Sequence, residues 1–139
     1  MKNLVFIVED NIVQQKILKV HFEEMLGNYM VKTFEDPEQM FEHMKEKPFA
    51  IVLDHFFQNK NNKTGLDYLK LMRKNFPSVP IIYYTSLDDK NIREEVLSLG
   101  AEDYILKNSA SLVRLRTALD VLHERKKEKK GFFKRLFGK

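Results

Sequence analysis

Five short strand-like runs, at residues 4–8, 30–34, 50–53, 81–84 and 104–106, alternate with stretches of helical apolar spacing along this 139-residue chain. The runs are too short and too apolar to form hairpins with one face in water, so they are expected as central parallel strands covered on both faces. Parallel neighbours need a crossover, and each intervening stretch supplies one. Val13, Ile17, Val20 and Leu26 are expected to face the core from the first helix, and Met40, Phe41 and Met44 from the second. At 36–39, Asp-Pro-Glu-Gln is a strong helix start, with an N-cap acid, proline at the first position and Gln39 placed for a capping box. The third helix follows Thr64 and Gly65 with Leu66, Leu69 and Met72 inward. The fourth follows Asp88 and Asp89 with Ile92, Val96 and Leu99 inward and stops at Gly100. The last starts near Ser109, buries Leu112, Leu115, Leu119 and Leu122, and meets no breaker before Gly131. Five βα units in succession imply an α/β, doubly wound parallel sheet with right-handed crossovers and five helices.

Two of the apolar runs end in acid: Glu9 and Asp10 follow residue 8, and Asp54 closes 49–53. Neighbouring parallel strands would bring these three carboxylates to the sheet edge where open α/β sheets bind ligands. Clustered carboxylates repel one another, and a divalent cation removes the conflict. Mg2+ takes few protein oxygens and leaves positions for water and a phosphate. The pattern points to a metal-assisted phosphoryl site. The histidines His21, His43, His55 and His123 share no ligand spacing and are not expected to hold a metal.

Composition excludes several classes. With 43% apolar and 32% charged residues the chain reads as one ordinary globular domain, and the absence of cysteine rules out a disulfide scaffold or a thiolate metal site. No apolar segment is long enough for a membrane span or a cleavable export signal, so a cytoplasmic location is expected. The net charge of +4 suggests nucleic acid until it is located. Residues 123–139 hold eight Lys or Arg against Glu124 and Glu128, which leaves 16 basic and 18 acidic side chains in residues 1–122. The body is mildly acidic and the basicity is an appendage, so no nucleic-acid partner is expected.

Taken together, residues 3–122 resemble the receiver domain of two-component response regulators, on five marks in order. Glu9-Asp10 resembles the acidic pair after the first strand, Asp54 the phosphorylated aspartate, Thr85 the hydroxyl after the fourth strand and Lys107 the lysine after the fifth; Tyr104 matches the aromatic switch residue. Each has an ordinary explanation alone, as a helix-capping acid, a solvated lysine or a core tyrosine. Their joint placement at successive strand ends is the strong signal. The resemblance implies a flavodoxin-like sheet of order 2-1-3-4-5, with a receiver domain over 1–122. It also implies that Asp54 is the phosphoacceptor and that Asp10 and Asp54 ligate Mg2+, with Glu9 acting through water and the Phe56 backbone carbonyl adding an oxygen. Lys107 and Thr85 would hold the phosphoryl oxygens. Movement of Thr85 toward them would let Tyr104 swing inward, which makes the pair a switch. The implied partners are a histidine kinase or phosphotransfer protein as donor and an output protein on the face formed by the fourth helix, fifth strand and fifth helix. On this reading the chain is a switch that promotes only its own phosphorylation and dephosphorylation, not an enzyme.

Three departures from the family pattern carry expectations of their own. The loop at 55–65 is long, polar and without proline, which predicts mobility and altered access to Asp54. Asn108 follows Lys107 where the family has a cis proline; cis before a non-proline costs about 2.5–4 kcal/mol, so a trans bond is expected. Phe56 and Leu87, two positions past Asp54 and Thr85, are apolar and cannot orient water, which predicts slow autodephosphorylation. Phe56 also stands where an aspartate-nucleophile phosphatase needs its second acid.

The appendage at 123–139 reads as a basic amphipathic continuation of the last helix. Phe132, Phe133, Leu136 and Phe137 lie on one face opposite Lys134 and Arg135, a pattern for an anionic membrane surface or a partner's groove. No output domain is expected after the receiver, so the leading reading is a stand-alone regulator acting by protein contact. The competing one is a phosphorylation-independent adaptor that works through its tail.

Overall fold

The computed structural model describes residues 2–58 and 61–138. Asn59 and Lys60 of the long loop, and Lys139 of the tail, lie outside the described residues. Strands β1 (Asn3–Val8), β2 (Tyr29–Phe34), β3 (Ala50–Leu53), β4 (Ile81–Thr85) and β5 (Asp103–Leu106) form one parallel sheet of order β2-β1-β3-β4-β5. Helices α1 (Ile12–Val20), α2 (Pro37–Phe41), α3 (Gly65–Asn75) and α4 (Lys90–Ser98) make the crossovers, and α5 (Ser111–Phe137) follows the last strand.

Because side chains alternate across a strand, each strand contributes to two cores. Phe6, Val8, Ile51, Leu53, Ile81, Tyr83 and Tyr104 pack with Met40, Leu69, Met72 and Val96 from α2, α3 and α4. Val5, Ile7, Ala50, Val52, Ile82, Tyr84 and Ile105 pack with Leu18 of α1, Phe22 just beyond it, and Leu115 and Leu119 of α5. The register sets Val8 beside Leu53, Leu53 beside Tyr83 and Thr85 beside Leu106, so the residues after β1, β3, β4 and β5 emerge together at one edge.

Local chemistry fixes most helix ends. Thr64 and Asp67 form a capping box at the start of α3, Asp89 caps α4 through the Ile92 N–H, and Gly100 at φ +84° reverses the chain after α4. Asp36 caps α2 through the Glu38 N–H at 2.9 Å rather than by a reciprocal bond with Gln39.

Two helical expectations need correction. In α1, Val13, Ile17 and Val20 are 65%, 43% and 47% exposed, while Gln15, Leu18 and Phe22 are buried. The helix carries two opposed apolar stripes, and the core takes the one with the larger side chains, continued by a π-helical turn at His21–Leu26 that ends at Gly27. The second helix is shorter than its apolar spacing suggests. It ends at Phe41, and Met44 is buried from a separate 3-10 turn, Met44–Glu46, closed by Lys47 in the left-handed region. The last helix continues into the basic appendage: α5 runs unbroken through Gly131 for 27 residues.

Candidate functional site

The backbone ladder continues one residue past the strands and delivers the acids. The Glu9 N–H donates to the Phe34 carbonyl at 2.9 Å and the Asp54 N–H to the Val8 carbonyl at 3.2 Å. Glu9 and Asp54 are thereby almost fully buried, at 3% and 4% exposure, with Asp10 half-buried beside them. One oxygen from each of the three carboxylates lies within 4.8 Å of the others. Lys107 crosses from the end of β5, its Nζ donating to Glu9 Oε2 at 2.8 Å and to Asp54 Oδ2 at 2.9 Å. The peptide bond between Lys107 and Asn108 is trans, there being no cis bond among the described residues. The ammonium reaches both acids without the cis turn, and Asn108 instead accepts from the Ala110 N–H to shape the turn into α5.

The electrostatics of the cluster are uneven. Burial, then the hydrogen bond and charge of Asp54, push Glu9 up to about 7, against the pull of Lys107. Burial alone would raise Asp54 too, but the hydrogen bond with Glu9, the charge of Lys107 and the His55 N–H at 2.6 Å outweigh it and hold Asp54 below the usual carboxylate range. For Lys107, burial works against the charge, yet the two carboxylates more than offset it and keep the ammonium protonated. The raised Glu9 and lowered Asp54 reflect a charge conflict between two buried carboxylates that a single ammonium does not remove. An all-oxygen donor set of this kind fits Mg2+.

Thr85 is fully buried, and its Oγ1 accepts from the Leu87 N–H at 3.2 Å. Tyr104 occupies an inward position: 2% exposed, stacked on Tyr83 with ring centroids 5.3 Å apart, its hydroxyl donating to the Leu87 carbonyl. One residue, Leu87, thus meets both, Thr85 through its N–H and Tyr104 through its carbonyl. Phe56 is 48% exposed at the mouth, beside a hollow of about 470 Å³ lined by Asp10, His55, Phe57, Gln58 and Thr64.

Three neighbours of the site lie outside the residue set predicted from the sequence. Gln15 donates from Nε2 to the Glu9 carbonyl at 2.5 Å. His55 is buried, and its Nδ1 meets the Tyr83 hydroxyl at 2.5 Å; burial lowers its pKa and keeps the ring neutral. Tyr83 therefore bridges the residue after Asp54 to the ring of Tyr104. The usable signal was Tyr83 lying two before Thr85, hence on the same face as the acids' supporting core.

Residues 5–120 match the family described as "Response regulator receiver domain". The chain is 29% identical over 121 residues to a probable C4-dicarboxylate response regulator, DctR, of Halalkalibacterium halodurans, covering 86% of this chain and 51% of that one. It is 30% identical over 104 residues to the transcriptional regulatory protein PhoP of Escherichia coli, covering 74% of this chain and 44% of that one. The chain thus spans about half the length of these relatives. Among solved structures, it resembles the BeF3-activated N-terminal receiver domain of Klebsiella pneumoniae RstA at 27% identity and TM-score 0.70, covering 84% of this chain and 98% of that one. A two-component response regulator from Clostridium difficile shares the fold at TM-score 0.78 and 19% identity, over 89% and 98% of the two chains.

Proposed function

The chain belongs to the response regulator receiver domain family, and on that premise we propose that Asp54 accepts a phosphoryl group from a histidine kinase or phosphotransfer protein, with Mg2+ required, and that the chain signals by protein contact. Receiver domains are phosphoacceptor switches rather than conventional enzymes. The observation that carries the reading is the buried Asp54 carboxylate held between Lys107 and the acidic pair.

Mg2+ would be held by Asp10 and Asp54, by Glu9 through water and by the Phe56 carbonyl, and would neutralise charge on the incoming phosphoryl group. An Asp54 oxygen attacks phosphorus, the bond from phosphorus to the donor imidazole breaks, and the imidazole leaves with its electron pair. Lys107 already faces the reacting carboxylate and pairs with the transferred oxygens as a compact charge. Thr85 Oγ1 donates to another oxygen, and the shift is felt at Leu87, whose carbonyl holds Tyr104. Output then leaves through the face of α4, β5 and α5. The exposed stripe Ile12, Val13 and Ile17 of α1 lies beside Asp10 and supports docking of a donor helix there. A cytoplasmic kinase as donor places the chain in the same compartment.

The half-exposed Phe56 and the apolar Leu87 support slow hydrolysis of the acyl phosphate. Phe56→Asn is expected to speed the loss of label from Asp54 several-fold, because an amide can hold the attacking water. Equal decay of label in the two proteins would count against it.

The inward Tyr104, set without phosphorylation, favours one second reading, a phosphorylation-independent adaptor that acts through its C-terminal tail. Incubation with acetyl phosphate and Mg2+, followed by intact-mass measurement, separates the two. The first reading requires a gain of one phosphoryl group that is absent from Asp54→Ala and abolished by chelator. If neither acetyl phosphate nor a phosphorylated histidine kinase yields an Asp54-dependent gain, the adaptor stands.

A further inference from the structure

Leu122 is the last buried residue of α5 and polar contacts with the body run on to Lys126, yet the helix continues to Phe137, roughly 16 Å further at 1.5 Å per residue. Along this projection Phe132, Phe133, Leu136 and Phe137 are 54%, 57%, 58% and 72% exposed, and Phe133 and Phe137 stack on each other at 4.9 Å instead of on the body. Helical periodicity puts Lys126, Lys129 and Lys130 on that same side, one to two turns before the aromatics, with Lys134 and Arg135 flanking. Arg125 is engaged by Glu102 at 2.7 Å and Lys126 by the Asn3 side chain and the Phe49 ring. Lys129, Lys130, Lys134 and Arg135 are exposed.

We propose that this projecting helix seats its apolar end in an anionic lipid bilayer, with the lysines on the same side forming a collar at the headgroups. Charge argues for the lipid over the alternatives. The stripes that could pair two copies as a coiled coil read Leu122, Lys126, Lys129, Phe133, Leu136 or Leu122, Arg125, Lys129, Phe132, Leu136, and each sets two cationic groups in the seam and strongly basic helices against each other. A protein groove recognises anchors spread over i, i+3 or i+4, and i+7, whereas here the apolar side chains occupy six residues at the end of the helix. A bilayer needs only such a wedge, and its anionic headgroups neutralise the collar.

The test is sedimentation of the full chain with vesicles of phosphatidylcholine alone or mixed with phosphatidylglycerol. The protein is expected to sediment with the anionic vesicles and not the neutral ones, and to be released by salt. A variant with Phe132, Phe133, Leu136 and Phe137 changed to serine should lose about ten-fold or more in partitioning, and Lys129→Gln, Lys130→Gln and Lys134→Gln combined about ten-fold. Asp54→Ala should partition like the wild type, which keeps this result separate from the phosphorylation test. No partitioning, or equal partitioning by the serine variant, overturns the proposal. So does a concentration-dependent dimer, or binding to duplex DNA, that the same serine changes abolish while vesicles capture nothing.

Discussion

Lys107→Met is expected to lower the stability of the domain in chelator by roughly 2–3 kcal/mol at pH 8 and by less at pH 4, where only the Asp54 share remains, with Mg2+ restoring most of the loss. The ammonium lies 2.8 Å from Glu9 and 2.9 Å from Asp54, and both acids are buried. Removing one partner of a buried ion pair leaves the other charge uncompensated, and here two are left. Glu9 already sits at about 7, above its ordinary value of 4.5, so it takes up a proton on folding. Such a group costs nothing below the unfolded value, and its cost grows as pH rises through the folded value. Asp54 is the reverse case: its lowered pKa contributes stability above the unfolded value of 3.8, lost as pH falls through the folded value. Methionine removes the pull that Lys107 exerts on both, so the first cost grows and the second contribution shrinks. The Asp54 share of the deficit is therefore already present at pH 4, while the Glu9 share is nearly absent there and complete once pH passes its raised value. Urea unfolding at pH 4 and pH 8, with chelator and with Mg2+, measures it. A deficit equal at both pH values, unaffected by Mg2+, would mean that the lysine contributes by packing 5.4 Å from the Tyr84 ring and not by its charge.

What could be read from the chain beforehand follows a physical divide. Glu9, Asp10, Asp54, Thr85 and Lys107 each sit at the end of an apolar run, and a parallel sheet must bring such ends to one edge; the inference needs only local pattern and topology. The burial of α1 needed more. Gln15 lies on the buried stripe with Leu18 and Phe22 because its amide reaches the Glu9 carbonyl, so a polar residue disguised the core face, while Val13 and Ile17 advertised a face that stays in solvent. His55 and Tyr83 were equally hidden, since their contact depends on β3 and β4 pairing with Leu53 beside Tyr83. Spacing in sequence cannot report a hydrogen bond made across a sheet.

Gly65→Ala is expected to destabilise the domain by about 3 kcal/mol or more and to impair phosphorylation of Asp54 with it. The sequence gives Gly65 an ordinary helix-start role, and its backbone is compatible with any residue, since its φ lies outside the positive range. Alanine inside a helix would ordinarily gain up to about 1 kcal/mol over glycine. The surroundings reverse the sign. A methyl group there would lie 2.0 Å from the Asp54 carbonyl oxygen and 2.7 Å from the Tyr83 hydroxyl. The first is backbone at the end of β3 and the second is fixed by His55, so neither yields without moving Asp54 or the support of Tyr104. The N-terminus of α3 must lift off instead, breaking the 2.8 Å bond from the Gly65 N–H to the His55 carbonyl. Gly131→Ala is the internal control: no atom outside its own helix lies within 4 Å of the added methyl, and the exposed α5 extension should become more helical by circular dichroism. Unfolding midpoints and Asp54 labelling of both variants test the contrast. A Gly65→Ala protein with wild-type midpoint and full labelling would show that α3 is not seated against the end of β3, and would remove the steric link between this helix and Asp54.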